Sequence, residues 1–426
     1  MDATTCTEAL LRFLDASPTP FHATRNAALL LDAAGFSALD EREPWALASG
    51  GRYYVTRNDS SLVAFILGQR PAAESGLVLV GAHTDSPCLR LKPQPELHRN
   101  GYWQLGVEVY GGVLLNPWFD RDLGVAGRIS LRWPDGRLEN RLVHLREPLA
   151  VVPSLAIHLD REANDKRSIN KQTYLPCVIG QGEKPFDLRT QLLQRLAAVE
   201  PGLGQADLLD HELSLFDLQP AACVGWSGEF IASARLDNLL SCHAAVQALV
   251  ASHGSSNRLI VLNDHEEVGS GSAAGARGTF LRAVLERVCG TGEPFARAMA
   301  RSTLVSTDNA HGIHPNFPDK HDGNHGPLLN GGPVVKVNHN QSYATNSETA
   351  AWLRAACARA GVPLQAFVSR GDMGCGSTIG PLTAAMLGVR TVDVGLPTFA
   401  MHSIRELAGR DDAHALHRML VACFET

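Results

Sequence analysis

Four largely apolar runs end in residues that an ordinary core would exclude. Residues 77–82 lead into His83-Thr84-Asp85, and 259–262 into Asn263-Asp264-His265-Glu266-Glu267. Residues 302–307 lead into Asp308, and 389–395 precede a short loop carrying His402. Apolar runs without alternation suit parallel strands covered on both faces, which makes the fold class α/β. Open sheets of that kind bind ligands beyond the carboxyl ends of their strands. The polar ends lie far apart in the chain, so their recurrence predicts one site assembled by the fold.

The pair Glu266-Glu267 constrains that site most. Two adjacent carboxylates after a buried strand are expensive unless a metal or a reaction uses them. Neighbouring residues leave the backbone in different directions, so one can bind metal while the other faces a water. A metallohydrolase needs that division between ligand and general base.

A chain of 426 residues suggests two domains, and its net charge of −6 offers nothing to attract nucleic acid. Nine cysteines are scattered without a CxxC pair, as in a reduced cytoplasmic protein. The N-terminus shows no signal-peptide pattern, and no window is apolar for long enough to span a bilayer. A soluble, cytoplasmic protein without membrane partners is expected.

Helical spacing covers 7–14 and 20–34, with Gly35 as a stop, and a hairpin is predicted over 52–57 and 61–67. From Pro93 the texture changes to short alternating strands at 101–110, 125–133 and 137–145, with Pro134-Asp135-Gly136 as a turn. Helical patterns return at 187–199 and 238–250. These features predict an α/β domain, residues 1–92 and 231–426, with a central, mostly parallel sheet flanked by helices. A mostly β insert at 93–230 would interrupt it.

Each candidate also has a plain structural reading. His83 could be a buried core histidine, Asp237 an N-cap, Asp308 a turn residue and His402 a surface histidine. Gly269-Ser270-Gly271-Ser272-Ala273-Ala274-Gly275 is one residue too long for a dinucleotide loop, and two glutamates would repel a pyrophosphate. Its glycines are expected to let a helix start close to the site. The polar loop 154–174 is either solvated or carries His158 to an active site, its own or a neighbour's. The glycine-rich turn 371–377 is a candidate pocket wall. His311, His314 and His321 are expected near the metal shell and outside it.

Five ordered segments resemble the M18 metallopeptidases, the family of aspartyl aminopeptidases and their vacuolar relatives. They are Gly81-Ala82-His83-Thr84-Asp85-Ser86, Ala234-Arg235-Leu236-Asp237-Asn238, Asp264-His265-Glu266-Glu267-Val268-Gly269-Ser270, Ser306-Thr307-Asp308-Asn309-Ala310-His311 and Ala400-Met401-His402-Ser403. Phe21-His22-Ala23 and Gly332-Pro333-Val334-Val335-Lys336 also match, and the similarity runs nearly end to end. The early start of the matching sequence favours the cytoplasmic branch.

The resemblance implies two zinc ions, with manganese or cobalt also compatible with such donors. His83 and Asp308 would hold one ion, Glu267 and His402 the other, and Asp237 would bridge them. Glu266 would be the general base, Asp85 would orient His83, and the Asp237-Asn238 peptide would be cis. It further implies dimers built by the insert, assembling into a dodecamer. His158 would then reach a neighbour's site as a substrate contact, although a metal-ligand role stays open. The implied activity is removal of single unblocked N-terminal residues from peptides, acidic ones preferred, with Lys336 pairing the acidic side chain. A broader aminopeptidase or a deacylase of the same two-zinc group is the main alternative. A scaffold protein or a dinucleotide binder would need none of this metal chemistry.

Overall fold

A computed structural model describes residues 2–426. The chain divides into two compact units. The first comprises the chain up to Ser86, Ala221–Met401 and Arg405–Thr426, and the second comprises Pro87–Pro220 with His402–Ile404. The expected insert began at 93 and ended at 230. The second unit starts earlier because strand Cys88–Arg99 already belongs to its sheet. It ends earlier because Phe230–Ser233 pairs with Glu406–Gly409 inside the first unit.

The first unit is built on nine strands: β1 (Ser37–Leu39), β2 (Arg52–Arg57), β3 (Ser61–Ile66), β4 (Leu77–His83), β5 (Asn257–Asn263), β6 (Thr303–Thr307), β7 (Val334–Lys336), β8 (Gln365–Phe367) and β9 (Arg390–Gly395). Their order is β1-β2-β3-β5-β4-β6-β9-β7-β8. The central neighbours β5, β4, β6 and β9 run parallel, whereas β3 joins β5 and β7 joins β9 antiparallel. The hairpin β2–β3 turns at Asn58 and Asp59, both at positive φ.

Eight helices longer than a single turn cover this sheet: α1 (Ala3–Ala16), α2 (Pro20–Ala33), α3 (Leu236–Ala251), α4 (Phe280–Cys289), α5 (Glu293–Arg301), α6 (Ser347–Ala360), α7 (Ile379–Leu387) and α8 (Arg410–Phe424). Alternate residues of the same strand enter different cores. Ile260, Leu262, Val80 and Ala82 pack with α1, α2, α3, α6 and α8. Leu259, Val261, Leu79 and Leu304 pack with α4 and α5. Burial on both faces therefore explains the unbroken apolar runs. Each such valine, leucine or isoleucine contributes roughly 1.5–3 kcal/mol relative to exposure. Local signals set the ends: Asp2 caps α1 through Thr5 N (2.9 Å), and an Asn346–Thr349 capping box opens α6.

A smaller sheet in the same unit joins Ala222–Val224, Phe230–Ser233, Glu406–Gly409, Pro397–Phe399 and Ala310–His311. The second unit carries a six-stranded antiparallel sheet, including the expected strands Tyr102–Tyr110, Leu123–Arg132 and Leu138–Ala150. Gly136 turns at φ +84 between the last two. The long loop after Val152 has no helix or strand until Cys177, and His158 is exposed on it.

Candidate metal centre

Parallel pairing brings the polar strand ends together. Asn263 is in register with His83, and Ser306 with Gly81, so β5, β4 and β6 finish side by side. His83 is the last residue of β4, Asp308 directly follows β6, and Glu266-Glu267 form a short 3-10 turn after β5. Asp237 enters from the start of α3, where the Asp237-Asn238 peptide is cis, as expected. It does not act as an N-cap; Arg235 holds the cap position in left-handed conformation. Asn238 Nδ2 donates to Thr307 O (2.8 Å), and Ser86 Oγ donates to Asp237 O (2.6 Å).

Three groups of side chains each bring their ligand atoms within 4.8 Å: His83-Asp237-Asp308, His83-Glu266-Glu267 and Asp237-Glu267-His402. All five expected ligands appear in them, with Asp237 common to the first and third. His402 lies on the loop between Pro397–Phe399 and Glu406–Gly409, and its Nδ1 is 3.1 Å from Gly112 O. Among the described residues His158 enters no such group.

His83 Nε2 lies 3.4 Å from Asp237 Oδ1 and 3.6 Å from Asp308 Oδ1. Bonds of about 2.0–2.2 Å at a tetrahedral angle place zinc ligands about 3.3–3.6 Å apart, so these donors fit such an ion. Glu266 Oε2 is farther from the imidazole, at 4.0 Å. His83 Nδ1 meets the Asp85 carbonyl at 3.0 Å. A carbonyl can only accept, so the neutral ring carries its proton there and turns the Nε2 lone pair toward the carboxylates.

Asp85 faces the ring with both its carboxylate and its main-chain carbonyl. Its carboxylate is 3.5 Å from His83 Nδ1, so its main-chain carbonyl makes the nearer contact with the ring. The carboxylate itself accepts from the amides of Glu266 (3.0 Å) and Glu267 (3.1 Å). One buried side chain thus fixes the turn that presents both glutamates.

Electrostatics supports the same donor set. Burial, then the repulsion of Asp308, Asp237 and Asp85, pushes Glu266 up to about 7 although His83 opposes the shift. Burial and Asp237 drive Glu267 well above the usual carboxylate range. His83 is fully buried, which would lower its pKa, but Asp237, Asp308 and Asp85 raise it well above the usual value. Divalent cations would relieve this crowding of negative charge, so the residues present fit a metal site by charge as well as by spacing.

Lys336 is buried at the end of β7. Its Nζ lies 3.5 Å from Asp308 Oδ2, 3.1 Å from Asn309 O and 5.0 Å from the Tyr343 ring centroid. A cavity nearby is lined by His311, His314, His321, Arg370, Met373 and Gly374, among others. The glycine-rich turn 371–377 is thus part of a pocket wall. The other glycine segment differs from expectation: after Gly269 (φ +92) and Ser270 (φ +61) the chain loops, and α4 begins only at Phe280.

The family model for the aminopeptidase I zinc metalloproteases (M18) matches residues 13–424. The chain belongs to the M18 family. It is therefore a metallopeptidase of the aminopeptidase type. "Probable M18 family aminopeptidase 2" of Ectopseudomonas mendocina (strain ymp) is 59% identical over 421 residues, 98% of both chains. A chain of the Ape4 and Nbr1 complex is 40% identical, with a TM-score of 0.95 over 99% of this chain and 86% of that one. A chain of the S. cerevesiae mApe1 dodecamer is 29% identical, with a TM-score of 0.85 over 98% of this chain and 96% of that one.

Two further buried carboxylates went unread in the sequence. Glu406, buried in a four-residue strand, accepts from Asp237 N at 2.9 Å. Asp393, buried in β9, accepts from Thr378 Oγ1 (2.6 Å) and Ala344 N (2.6 Å). The available signal was a lone acidic residue inside an apolar strand, the same one that Glu266-Glu267 gave more strongly.

Proposed function

We propose that this M18 enzyme uses two divalent metal ions, most simply zinc, to remove single unblocked N-terminal residues, with aspartate and glutamate preferred. The observation that carries the reading is the sharing of donors between the groups, with Asp237 common to His83-Asp308 and to Glu267-His402. Bound ions would supply Lewis acidity toward the scissile carbonyl and a lowered pKa for water. Glu266 takes a proton from the attacking water as its oxygen bonds to the carbonyl carbon. It returns that proton to the leaving nitrogen as the C–N bond breaks. Asp85 holds the Glu266 amide and so keeps this base aimed at the water. The carboxylates of the site attract the substrate's free α-ammonium, which disfavours blocked peptides.

The acidic preference rests on Lys336, a buried ammonium 3.5 Å from Asp308. An incoming carboxylate would give it a second partner of opposite charge. The dodecamer belongs to the Ape1 relative; for this chain we infer a homo-oligomer of the same kind, with exposed His158 contacting substrate in a neighbouring copy. Nine free cysteines fit a cytoplasmic location.

Metal analysis joined to a panel of aminoacyl reporters, free and N-blocked, before and after chelation, tests the reading. Activity on free acidic substrates that vanishes with metal removal and returns on readdition is expected. A metal-replete sample inert toward every unblocked peptide, or one preferring blocked substrates, would overturn it.

A further inference from the structure

Asp237 belongs to two of the three groups, as do His83 and Glu267, and its main chain is held by a residue outside all of them. Strand Glu406–Gly409 pairs with Phe230–Ser233, with Glu406 opposite Ser233. Past Ser233 the chain turns at Arg235 (φ +63) and enters α3, so that the Asp237 amide comes back onto the Glu406 carboxylate. Glu406 Oε2 accepts from Asp237 N at 2.9 Å, and both residues are buried. The first amides of a helix have no carbonyl partner within it. Asp237 and Asn238 have non-helical backbone angles, so the regular helix begins after them, and the Glu406 carboxylate completes the Asp237 amide with a charge-assisted bond. The Asp237 carbonyl is fixed too, by Ser86 Oγ at 2.6 Å, so the residue is gripped on both sides of its Cα.

We propose that Glu406 is a positioning residue for the metal centre: it fixes the Asp237 backbone and thereby aims the shared carboxylate. It belongs to the strand that follows the His402 loop, so one short segment carries one expected ligand and orients another. Asp85 performs the comparable service for Glu266 and Glu267 through their amides. Every carboxylate expected to act on metal or water, Asp308 excepted, thus has its amide held by a second buried carboxylate.

This inference rests on the two-metal reading, and its test separates the two. Zinc affinity is measured by chelator competition on the full-length protein for Glu406→Ala and Glu406→Gln, alongside kcat, KM and the thermal midpoint of each metal-free protein. Glutamine keeps an acceptor oxygen; alanine leaves the buried amide without one. Alanine should weaken zinc binding about 10- to 100-fold and lower kcat with little change in KM, whereas glutamine should restore most of both. The metal-free midpoint of the glutamine variant should match the parent. Parent-like zinc affinity in Glu406→Ala would overturn the proposal. So would equal losses in both variants that track falling metal-free midpoints, the mark of a merely structural residue. A parent protein that binds zinc but cleaves no free peptide would sink the aminopeptidase reading and leave the role of Glu406 standing.

Discussion

Glu266 and Glu267 are consecutive, yet the site gives them different surroundings. Both group with His83, but Glu267 also groups with Asp237 and His402, while Glu266 stands 4.0 Å from His83, beyond the spacing of the nearer donors. Glu266→Gln should therefore retain metal and lose about 10²–10⁴ in kcat, read by metal analysis and steady-state kinetics on one preparation. Loss of metal together with activity would make Glu266 a ligand. For Lys336→Leu the informative quantity is a ratio. Removing a charged hydrogen-bond partner is worth about 1.5–3 kcal/mol, so kcat/KM on glutamyl reporters should fall roughly 10- to 100-fold further than on alanyl ones. Equal losses would confine Lys336 to holding Asp308.

At the scale of elements, the catalytic end of the sheet depends on how closely two neighbouring strands approach. A Cβ at Gly395, in β9, would overlap the carbonyl oxygen of Asp308. The Asp308 amide donates to Val394 O (3.0 Å), so the two segments cannot separate without losing that bond. Gly395→Ala should thus cost about 1–3 kcal/mol of stability and weaken zinc binding by moving Asp308. Thermal unfolding and chelator competition would report both; an unchanged zinc affinity would mean that the loop absorbs the methyl. The long central strands and the helices were legible because their apolar periods are unambiguous. The nearer contact of the Asp85 carbonyl with His83 was not, because a side-chain pattern carries no information about which backbone group will be closest. The delay of the next helix to Phe280 was also hidden, since glycines permit a helix start and a loop equally.

At the scale of the whole molecule, two buried histidines outside the metal-ligand groups bear on acid stability. Burial, then His417 and Arg12, pushes His243 down to about 3; burial and His414 push His417 down to about 4. In the unfolded chain these rings take up protons near pH 6.5. Between about 4 and 6.5 the unfolded state therefore binds more protons at these two rings, and their contribution to stability falls as pH falls through this window. Asp412, pushed up to about 6 by burial, opposes the trend because its folded form holds a proton that the unfolded one releases. His243→Phe, which keeps a ring against Phe13, should flatten the acid limb by an amount on the order of a few kcal/mol. Thermal midpoints from pH 7 to pH 4 would show this, and parallel curves for variant and parent would refute it. Assembly makes a separate prediction. If His158 serves a neighbouring copy, His158→Ala should spare the particle mass in light scattering, lower kcat/KM, and be complemented in mixed particles by a His158-intact subunit that lacks its own base. Absence of such complementation would place His158 outside its neighbours' chemistry.

Sequence alone was sufficient for the fold class and the family, and it singled out the side chains that the fold gathers at the strand ends. Each depends on local order: an apolar run, a polar residue at its end, and a fixed succession of such endings. Only tertiary structure decided which groups hold those residues in place. Glu406 meets Asp237, Asp85 meets two amides, and Lys336 is enclosed beside Asp308, because parallel registers and a small second sheet bring distant segments within hydrogen-bonding distance. Contacts of that length form between backbones and side chains whose spacing in the chain has no period, so no pattern in the residues announces them.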